Sequence, residues 1–430
     1  MMSGGHFPAA SVDAVIIGAG HSGLAASHCL AELGVEHVVF ERGEVANTWR
    51  RERWDSLTLL TPNWLATLPG YRYQGDDPDG YMNSTELVRF IEGYAGQAQA
   101  PIHAHTMVTA VTPDDPGYRV ETTEGAWRTR AVVLANGGFN TPAVPACAAG
   151  LPGHIAQFTA HDYRNPGQLP DGGVMVVGAS ATGLQIADEI HRSGRPVTLA
   201  VGEHVRLPRC YRGRDIYWWM CHTGLMDERY DQVDDIVRAR NLPSPQLVGT
   251  PEQRSLDLNS LTDKGVRLVG RLAAVRDGKA LFSGGLRNVC ALADLKMNRL
   301  LNEIDQWIDA QGGVPGAGDM ERYPDTRVEH PPRLGLDLAK DGIKSVLWAT
   351  GFRPDYAWLK APVLDRKGHV KHDGGVVKGA PGMYLLGLQF LRTRKSSFIH
   401  GAEDDARFIS QHLFKHLEAQ SGRSAVPSCA

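Results

Sequence analysis

The sequence predicts an α/β fold with two similar units, because one pattern of apolar strand, glycine-rich turn, helix and second strand occurs twice. The first copy begins at Val12 and the second at Val174. Such a pattern within about 30 residues is the unit that builds a parallel sheet. At 430 residues the chain is also longer than a single hydrophobic core usually grows, which favours more than one domain.

The first glycine-rich turn follows the strand Val12–Ile17 and precedes a helical pattern that ends at Gly34. The turn reads Gly18, Ala19, Gly20, His21, Ser22 and Gly23. Gly18 permits the tight bend, Gly20 lets the backbone approach a pyrophosphate, and Gly23 allows close helix packing. The helix N-terminus then offers free N–H groups to the phosphates.

A carboxylate at the end of the second strand completes this first pattern. Glu41 follows Val38-Val39-Phe40 and can accept hydrogen bonds from a ribose. Because strand, glycines, helix and acid are all present, the pattern predicts a dinucleotide site, with a purely structural turn as the alternative.

The second turn reads Gly178, Ala179, Ser180, Ala181, Thr182 and Gly183. Ser180 replaces the middle glycine, but it is small and can donate a hydrogen bond to phosphate. No acid occupies the strand end near Val201, and Arg206 and Arg209 follow shortly afterwards, as do Arg212 and Arg214. This arrangement favours the 2′-phosphate of NADPH over the hydroxyl of NADH, although Glu203 opposes it and the arginines could instead form a solvated surface.

Two further segments organise the rest of the chain. The apolar strand pattern Ser345–Ala349 leads into Thr350-Gly351-Phe352, much as Ala131–Ala135 leads into Asn136-Gly137-Gly138. Apolar residues at near-helical spacing between Ala291 and Ala310 predict an amphipathic packing helix whose buried positions are Leu292, Leu295, Leu300, Ile304 and Ile308.

The composition excludes several classes of function. Hydrophobic residues make up 42% and charged residues 22%, and the mixed charges leave a formal net charge of -3, so we expect no nucleic-acid partner. No apolar run reaches the roughly 20 residues of a membrane-spanning helix, and the start MMSGGHFPAA lacks a secretion signal. We therefore expect a cytoplasmic protein without a membrane partner, whose oligomeric state the sequence leaves open.

The six cysteines are scattered, with no Cys-x-x-Cys pair and no His/Cys spacing that suits zinc. We therefore expect no metal site and no catalytic cysteine pair.

The segment after Glu41 carries a family resemblance. Arg42-Gly43 leads into Trp49-Arg50-Arg51-Glu52-Arg53-Trp54-Asp55, then Leu60-Thr61-Pro62-Asn63-Trp64 and Leu68-Pro69-Gly70. In these motifs the chain resembles the class B flavin monooxygenases, which include the plant auxin-forming flavin monooxygenases and bacterial relatives. The segment 153–166 departs from the group's signature, because Thr159 stands where a histidine is expected.

The resemblance implies two Rossmann-like domains, with a nicotinamide domain inserted in an FAD domain. Residues 1–164 and 341–430 would form the FAD domain, and residues 165–340 the inserted NAD(P) domain. It implies that the first turn, Glu41 and Arg42 hold the ADP half of FAD, and that Trp49, Thr61 and a catalytic Asn63 lie near the flavin ring. Thr350-Gly351 would link the domains and contact a cofactor, and the segment Gly382–Gly387 would return to the flavin, with Gly387 beside it.

The implied activity is that of an enzyme in which NADPH reduces FAD and O2 then forms a flavin C4a-(hydro)peroxide that oxygenates a small organic substrate. The alternative is an NAD(P)H-dependent flavin reductase or dehydrogenase that passes electrons to another acceptor. A redox-sensing protein that binds the nucleotides only as structural ligands is a third interpretation.

Overall fold

The computed structural model describes the backbone of residues 10–424 and the side chains of residues 10–421. The expectation that the first ten residues carry no secretion signal concerns residues 1–10, and of these only Ala10 lies within the described part. Within it, helices alternate with parallel strands, so the predicted α/β class is confirmed.

Nine α-helices occur in the described residues. Helices α1 to α9 are His21–Glu32, Asn47–Arg51, Ser84–Gln97, Ala181–Arg192, Ile216–His222, Ile236–Arg240, Leu258–Lys264, Leu286–Ala310 and Ala402–Ser424.

The strands are short except in the two main sheets. Strands β1 to β9 are Ala10–Ile17, His37–Phe40, Thr67–Leu68, Tyr71–Arg72, Ile102–His103, Val108–Asp114, Gly117–Thr122, Gly125–Leu134 and Thr141–Pro142. Strands β10 to β19 are Ala156–Thr159, Gly173–Val177, Val197–Ala200, Val205–Arg206, Cys210–Tyr211, Arg214–Asp215, Pro245–Gln246, Arg267–Val269, Leu272–Arg276 and Lys279–Phe282. Strands β20 to β25 are Gly335–Asp337, Ile343–Trp348, Phe352–Arg353, His372–Asp373, Val376–Val377 and Met383–Leu385.

The first sheet has the strand order β23-β24-β25-β8-β1-β2-β5, and β7 also pairs with β8 while β6 pairs with β7. Strand β1 runs parallel to β2 and β8, and Ile17 is in register with both Phe40 and Leu134. Strand β25 is parallel to β8, with Leu385 opposite Leu134. The carboxyl ends of these four strands therefore meet at one edge of the sheet, where α/β proteins usually bind ligands.

The second sheet is wholly parallel and has the order β10-β21-β11-β12-β17. Val177 is in register with Ala200 and with Trp348, so the carboxyl ends of β11, β12 and β21 also share one edge. All five strands lie between β8 and β25 of the first sheet along the chain. The chain thus leaves the first sheet, builds the second one and returns.

Each sheet has its own core. One apolar cluster surrounds β1, β2, β8 and β25 and includes residues of α1, α3 and α9. Two other clusters cover the two faces of the second sheet. A fourth cluster packs α5 against α8, and in it Tyr211, Tyr217 and Trp219 are buried.

The long helix predicted for residues 291–310 is confirmed as α8, which begins earlier, at Leu286. Its predicted buried face is partly wrong, because Leu292 and Leu295 are 44% and 47% exposed. Ala293 and Met297 are buried instead, so the packed face is rotated by about one residue in the first turns. In the described part of the chain, no helix combines the length and apolar character needed to cross a bilayer.

A buried carboxylate joins the helices of the second unit. Asp188 on α4 accepts hydrogen bonds from Lys264 of α7 at 2.5 Å and from Arg254 at 2.8 Å. Burial raises the pKa of this carboxyl, but the hydrogen bond from Lys264 and the charge of Arg254 outweigh it and leave the pKa below its ordinary value.

We expect Asp188→Asn to lower the stability at pH 7 by about 2 to 3 kcal/mol, because charge-assisted hydrogen bonds are lost. A folded-state pKa below the unfolded value means that this contribution is complete above about pH 4 and is lost as the pH falls below it. Thermal melts at pH 7 and pH 3.5 test this, with Asp171→Asn as the control because Asp171 is fully exposed. An equal melting temperature for Asp188→Asn and the native protein at pH 7 would contradict the prediction.

Candidate functional site

A deep cleft opens at the carboxyl edge of the first sheet. Its cavity volume is about 270 Å³, and it extends from the first glycine loop to Trp49 of α2. Its lining includes these predicted residues: Gly18, Gly20, His21, Ser22, Glu41, Arg42, Trp49 and Gly387. Ala19 and Gly23 lie behind them in the loop, outside the lining. The strand register explains this convergence, because the loop, Glu41 and Gly387 each follow one of the aligned strand ends.

The first glycine loop is shaped by contacts that leave no room for side chains. Gly18 has a φ of +108°, and a Cβ there would lie 2.6 Å from the carbonyl oxygen of Ala135. A Cβ on Gly23 would lie 2.0 Å from the carbonyl oxygen of Gly18. By contrast, a Cβ on Gly20 would meet no atom within 4 Å. Gly18 and Gly23 thus permit the close packing, whereas Gly20 faces open space in the cleft.

Glu41 braces this loop from the neighbouring strand. Its side chain is 8% exposed and accepts hydrogen bonds from the backbone N–H of Ala19 at 2.9 Å and of Gly43 at 3.0 Å. Each carboxylate oxygen has a second lone pair that a ribose hydroxyl could use. The residue therefore both fixes the loop and presents an acceptor at the edge of the cleft.

Two polar atoms at the start of α1 have no protein partner. These are Nε2 of His21 and Oγ of Ser22, both shielded from solvent. Burial lowers the pKa of His21 to about 4, so its imidazole is neutral at pH 7. Because buried polar atoms are normally hydrogen-bonded, unpartnered ones at a helix N-terminus indicate a place for a ligand with phosphate or hydroxyl groups.

A second, more apolar cavity of about 210 Å³ adjoins the cleft. The two share the side chains of His21, Trp49, Arg53, Phe139 and Ser397. The second cavity alone is lined by Trp54, Leu57, Thr58, Leu59, Leu60, Thr61, Ala160, Ala181, Thr182, Gln185, Ser244, Phe352, Phe398 and Ile399. The predicted Trp49 thus stands at the junction of the two spaces, and the predicted Thr61 lies in the apolar one.

The second glycine loop repeats the close packing of the first. Gly178 has a φ of +111°, and a Cβ there would lie 2.2 Å from the carbonyl oxygen of Ala349. A Cβ on Gly183 would lie 1.8 Å from the carbonyl oxygen of Gly178. Ser180 occupies the N-cap of α4 without a capping hydrogen bond, so its hydroxyl is available to a ligand. Ala181 and Thr182 reach the apolar cavity.

The segment after β21 connects the two units. The hydroxyl of Thr350 donates to the carbonyl oxygen of Ala143 at 2.7 Å, and Gly351 has a φ of +89°. Strand β22, which follows, pairs with β9. Thr350 and Gly351 therefore fix a crossing between the units and line neither cavity.

The expectation that Arg206 and Arg209 bind a 2′-phosphate is corrected by their surroundings. Arg206 is 3% exposed and pairs with Asp294 and Asp257, each at 2.7 Å. Arg209 has no exposed surface and pairs with Asp215 at 2.7 Å. Since neither guanidinium reaches a cavity, both act as buried structural ion pairs.

The proposed catalytic position of Asn63 is also corrected. Asn63 is 4% exposed, its Nδ2 donates to the carbonyl oxygen of Asp77 at 2.9 Å, and its Oδ1 accepts from the N–H of Met82 at 2.7 Å. It lines neither cavity. Because both the Nδ2 and the Oδ1 of Asn63 bind the backbone of one loop, Asn63 positions that loop and contacts neither cavity.

Sequence reasoning missed the aromatic residues and the cation at the junction. Phe139 and Phe352 contact each other edge to face, with ring centroids 5.6 Å apart, and Arg53 lies beside them. Both phenylalanines follow the carboxyl end of a sheet strand, which is a usable signal in retrospect. Of the five cysteines in the described part, all are free and none lines a cavity.

Residues 15–210 match the family model of pyridine nucleotide-disulphide oxidoreductases. A CzcO-like oxidoreductase of Geobacillus kaustophilus is 29% identical over 94% of this chain and 99% of its own length. The indole-3-pyruvate monooxygenase YUCCA6 of Arabidopsis thaliana is 26% identical over 93% of this chain and 90% of its own.

The fold is similar to that of a flavin-containing monooxygenase from Stenotrophomonas maltophilia. The TM-score is 0.67 at 19% identity, and the match covers 95% of this chain and 99% of the other. At this identity the similarity establishes the shared fold.

The contrast between two glycines of the first loop can be tested directly. We expect Gly23→Ala to lower the melting temperature by several degrees, because its Cβ would overlap backbone and overpacking costs about 1 to 3 kcal/mol. Gly20→Ala should melt at or above the native temperature, since its φ of -83° suits alanine, yet it should release bound flavin about tenfold more readily.

Thermal melts and flavin titration of the two variants check this pair. Native-like melting of Gly23→Ala would show that the close contact is not required. Native flavin affinity in Gly20→Ala would show that no ligand approaches that side of the loop.

Proposed function

We propose that the chain is an oxidoreductase of the pyridine nucleotide-disulphide oxidoreductase family, related to the CzcO-like oxidoreductases and the flavin monooxygenases, and that it acts as an NADPH-dependent FAD monooxygenase. The family implies FAD and NAD(P)H as cofactors, a small substrate and O2. The observation that carries the proposal is the convergence of two glycine loops on one pair of connected cavities.

In this proposal the first unit holds FAD. Gly20 leaves space for the pyrophosphate, Ser22 offers its unpartnered hydroxyl, and Glu41 offers a carboxylate to the ribose. Arg42 and Gly387 border the same cleft, and Trp49 stands at its inner end. Residues 1–164 and 341–430 would form this FAD domain, with the inserted nicotinamide domain at 165–340.

The second loop would bind the nicotinamide cofactor. The N-terminus of α4 offers backbone N–H groups, and Ser180 adds a hydroxyl that no cap uses. We favour NADPH over NADH because the strand end at Val201 carries no buried acid comparable to Glu41, and Glu203 is 60% exposed and paired with Lys296. Arg206 and Arg209 are engaged in buried ion pairs and are therefore left out of this proposal.

With FAD held by the first loop and NADPH by the second, the two cofactors would supply the hydride-transfer and oxygen-transfer chemistry of the reaction. The chain's own contribution is to bind, orient and exclude water. Trp49, Phe139 and Phe352 form apolar walls around the junction, and the neutral His21 can accept or donate one hydrogen bond there without adding charge.

We expect the purified protein to be yellow, and NADPH should bleach its flavin under anaerobic conditions faster than NADH does. In air, NADPH oxidation should be slow until a substrate is added and should yield little H2O2. Absorbance at the flavin band, NADPH consumption and peroxide are measured together.

Different outcomes separate the rival functions. Rapid, substrate-independent turnover with an artificial electron acceptor would support a reductase instead of a monooxygenase. Flavin that NADPH cannot bleach would support a protein that binds the nucleotides only as structural ligands. A protein that takes up no flavin would overturn the proposal.

A further inference from the structure

One charged side chain stands at the junction of the two cavities. The residues that line both spaces are His21, Trp49, Arg53, Phe139 and Ser397. Burial lowers the pKa of His21 to about 4, so its ring is neutral at pH 7. Arg53 is therefore the one member of this set that carries a charge at neutral pH.

Aromatic rings hold the guanidinium of Arg53 in place. Its central carbon lies 5.4 Å from the ring centroid of Trp49, 5.9 Å from that of Phe139 and 5.8 Å from that of Phe352. Cation–π contacts orient the flat group without neutralising it. The junction thus contains a fixed positive charge among apolar walls.

The charged neighbours of Arg53 leave this charge uncompensated. Within the described side chains Arg53 forms no ion pair, and its one hydrogen bond to protein runs from Nη1 to the carbonyl oxygen of Glu52 at 2.8 Å. The carboxylate of Glu52 pairs with Arg42 instead, and its other oxygen lies 3.8 Å from Nε2 of His161. Burial lowers the pKa of Arg53 to about 10, Glu52 opposes this shift and Arg164 adds to it. At neutral pH the group is still protonated.

The topology indicates which end of the first cleft would take the flavin ring. Strand β1 lies between β2 and β8, so Glu41 and Phe139 follow strands on opposite sides of the first glycine loop. If the adenosine ribose is at Glu41 and the pyrophosphate is at the loop, the rest of FAD extends towards Phe139. The flavin ring would then lie at the end of the cleft that Arg53 lines.

The nicotinamide would reach the same place from the other side. Ala181 and Thr182 at the start of α4 line the second cavity, and so does Arg53. The flavin that accepts a hydride from NADPH gains two electrons and one proton, and therefore one negative charge, while the nicotinamide becomes the cation of NADP+. A fixed cation in apolar surroundings stabilises such a developing negative charge more than it would in water.

We propose that Arg53 stabilises the negative charge that reduction places on the flavin and thereby raises the reduction potential of bound FAD. This inference rests on the proposed function, which places FAD in the first cleft. Arg53 is then a further catalytic residue of the hydride-transfer step, since it acts on the cofactor ring that accepts the electrons.

The test measures the reduction potential of the flavin bound to the full-length protein, by anaerobic equilibration with a reference dye. We expect Arg53→Gln to shift the equilibrium tenfold or more towards oxidised flavin, which makes the potential about 30 mV more negative for a two-electron couple. Arg53→Lys should keep most of the native potential, because it keeps the charge. Should Arg53→Gln lose its flavin, Arg53→Met takes its place and the same shift is expected.

The pH dependence of the potential gives a second result, which a purely structural role of Arg53 would not change. The potential falls by about 59 mV per pH unit while reduction takes up two protons, and by about 30 mV while it takes up one. A cation beside the ring favours uptake of one proton only. We therefore expect the change of slope at a lower pH in the native protein than in Arg53→Gln.

Arg50→Gln is the matched control, because it removes a guanidinium three residues away that is already paired with Glu44 and Glu92. It should keep the native potential and the native change of slope. A flavin-loaded Arg53→Gln or Arg53→Met protein with the native potential would overturn the inference. So would weaker NADP+ binding at an unaltered potential, because the guanidinium would then bind a cofactor phosphate.

The outcomes distinguish this inference from the proposed function. If NADPH reduces the flavin and oxygen reaches a substrate, but the potential does not depend on Arg53, the inference fails and the function stands. If the potential shifts as expected in a protein that only passes electrons to an artificial acceptor, the monooxygenase proposal fails and the inference stands. A protein that takes up no flavin would end both.

Discussion

The whole site depends on two backbone contacts that only glycine permits. In each unit the helix begins so close to the strand that a Cβ on Gly23 or Gly183 would lie within about 2 Å of a carbonyl oxygen in the preceding turn. This contact sets the start of α1 and of α4 at the carboxyl edge of its sheet. Because the strands beside each loop end in register, the residues that follow them are brought to the same edge. The ligand spaces are a consequence of that alignment.

The cavities combine apolar walls with a few uncompensated polar groups. His21 and Ser22 have unpartnered atoms at the start of α1, and Arg53 carries a charge that no carboxylate in the described residues neutralises. The buried charges of Asp188 and Arg206, by contrast, are paired within the protein. Because buried polar groups are normally hydrogen-bonded, unsatisfied groups beside a cavity are consistent with a bound ligand.

The sequence was sufficient for the features that are local in the chain. The glycine loops and Glu41 could be predicted because a turn, a close contact and a strand end depend on residues within one strand-helix-strand unit. The predictions for Arg206 and Arg209 were wrong for the opposite reason. Arg206 forms an ion pair with Asp294, which lies 88 positions away in the sequence, and no local sequence pattern indicates such a partner. Asn63 was misjudged similarly, since its amide is used by a loop that only the folded chain brings next to it.

The chain topology explains why the residues at the junction of the two cavities could not be predicted from either unit alone. The second sheet is built between β8 and β25, so the chain crosses between the units after β8 and again after β21. Phe139 follows the first sheet's strand β8, Phe352 follows the second sheet's strand β21, and Arg53 lies beside both rings. Each unit thus contributes one of these two phenylalanines. The way the two units meet therefore determines the surroundings of this cation.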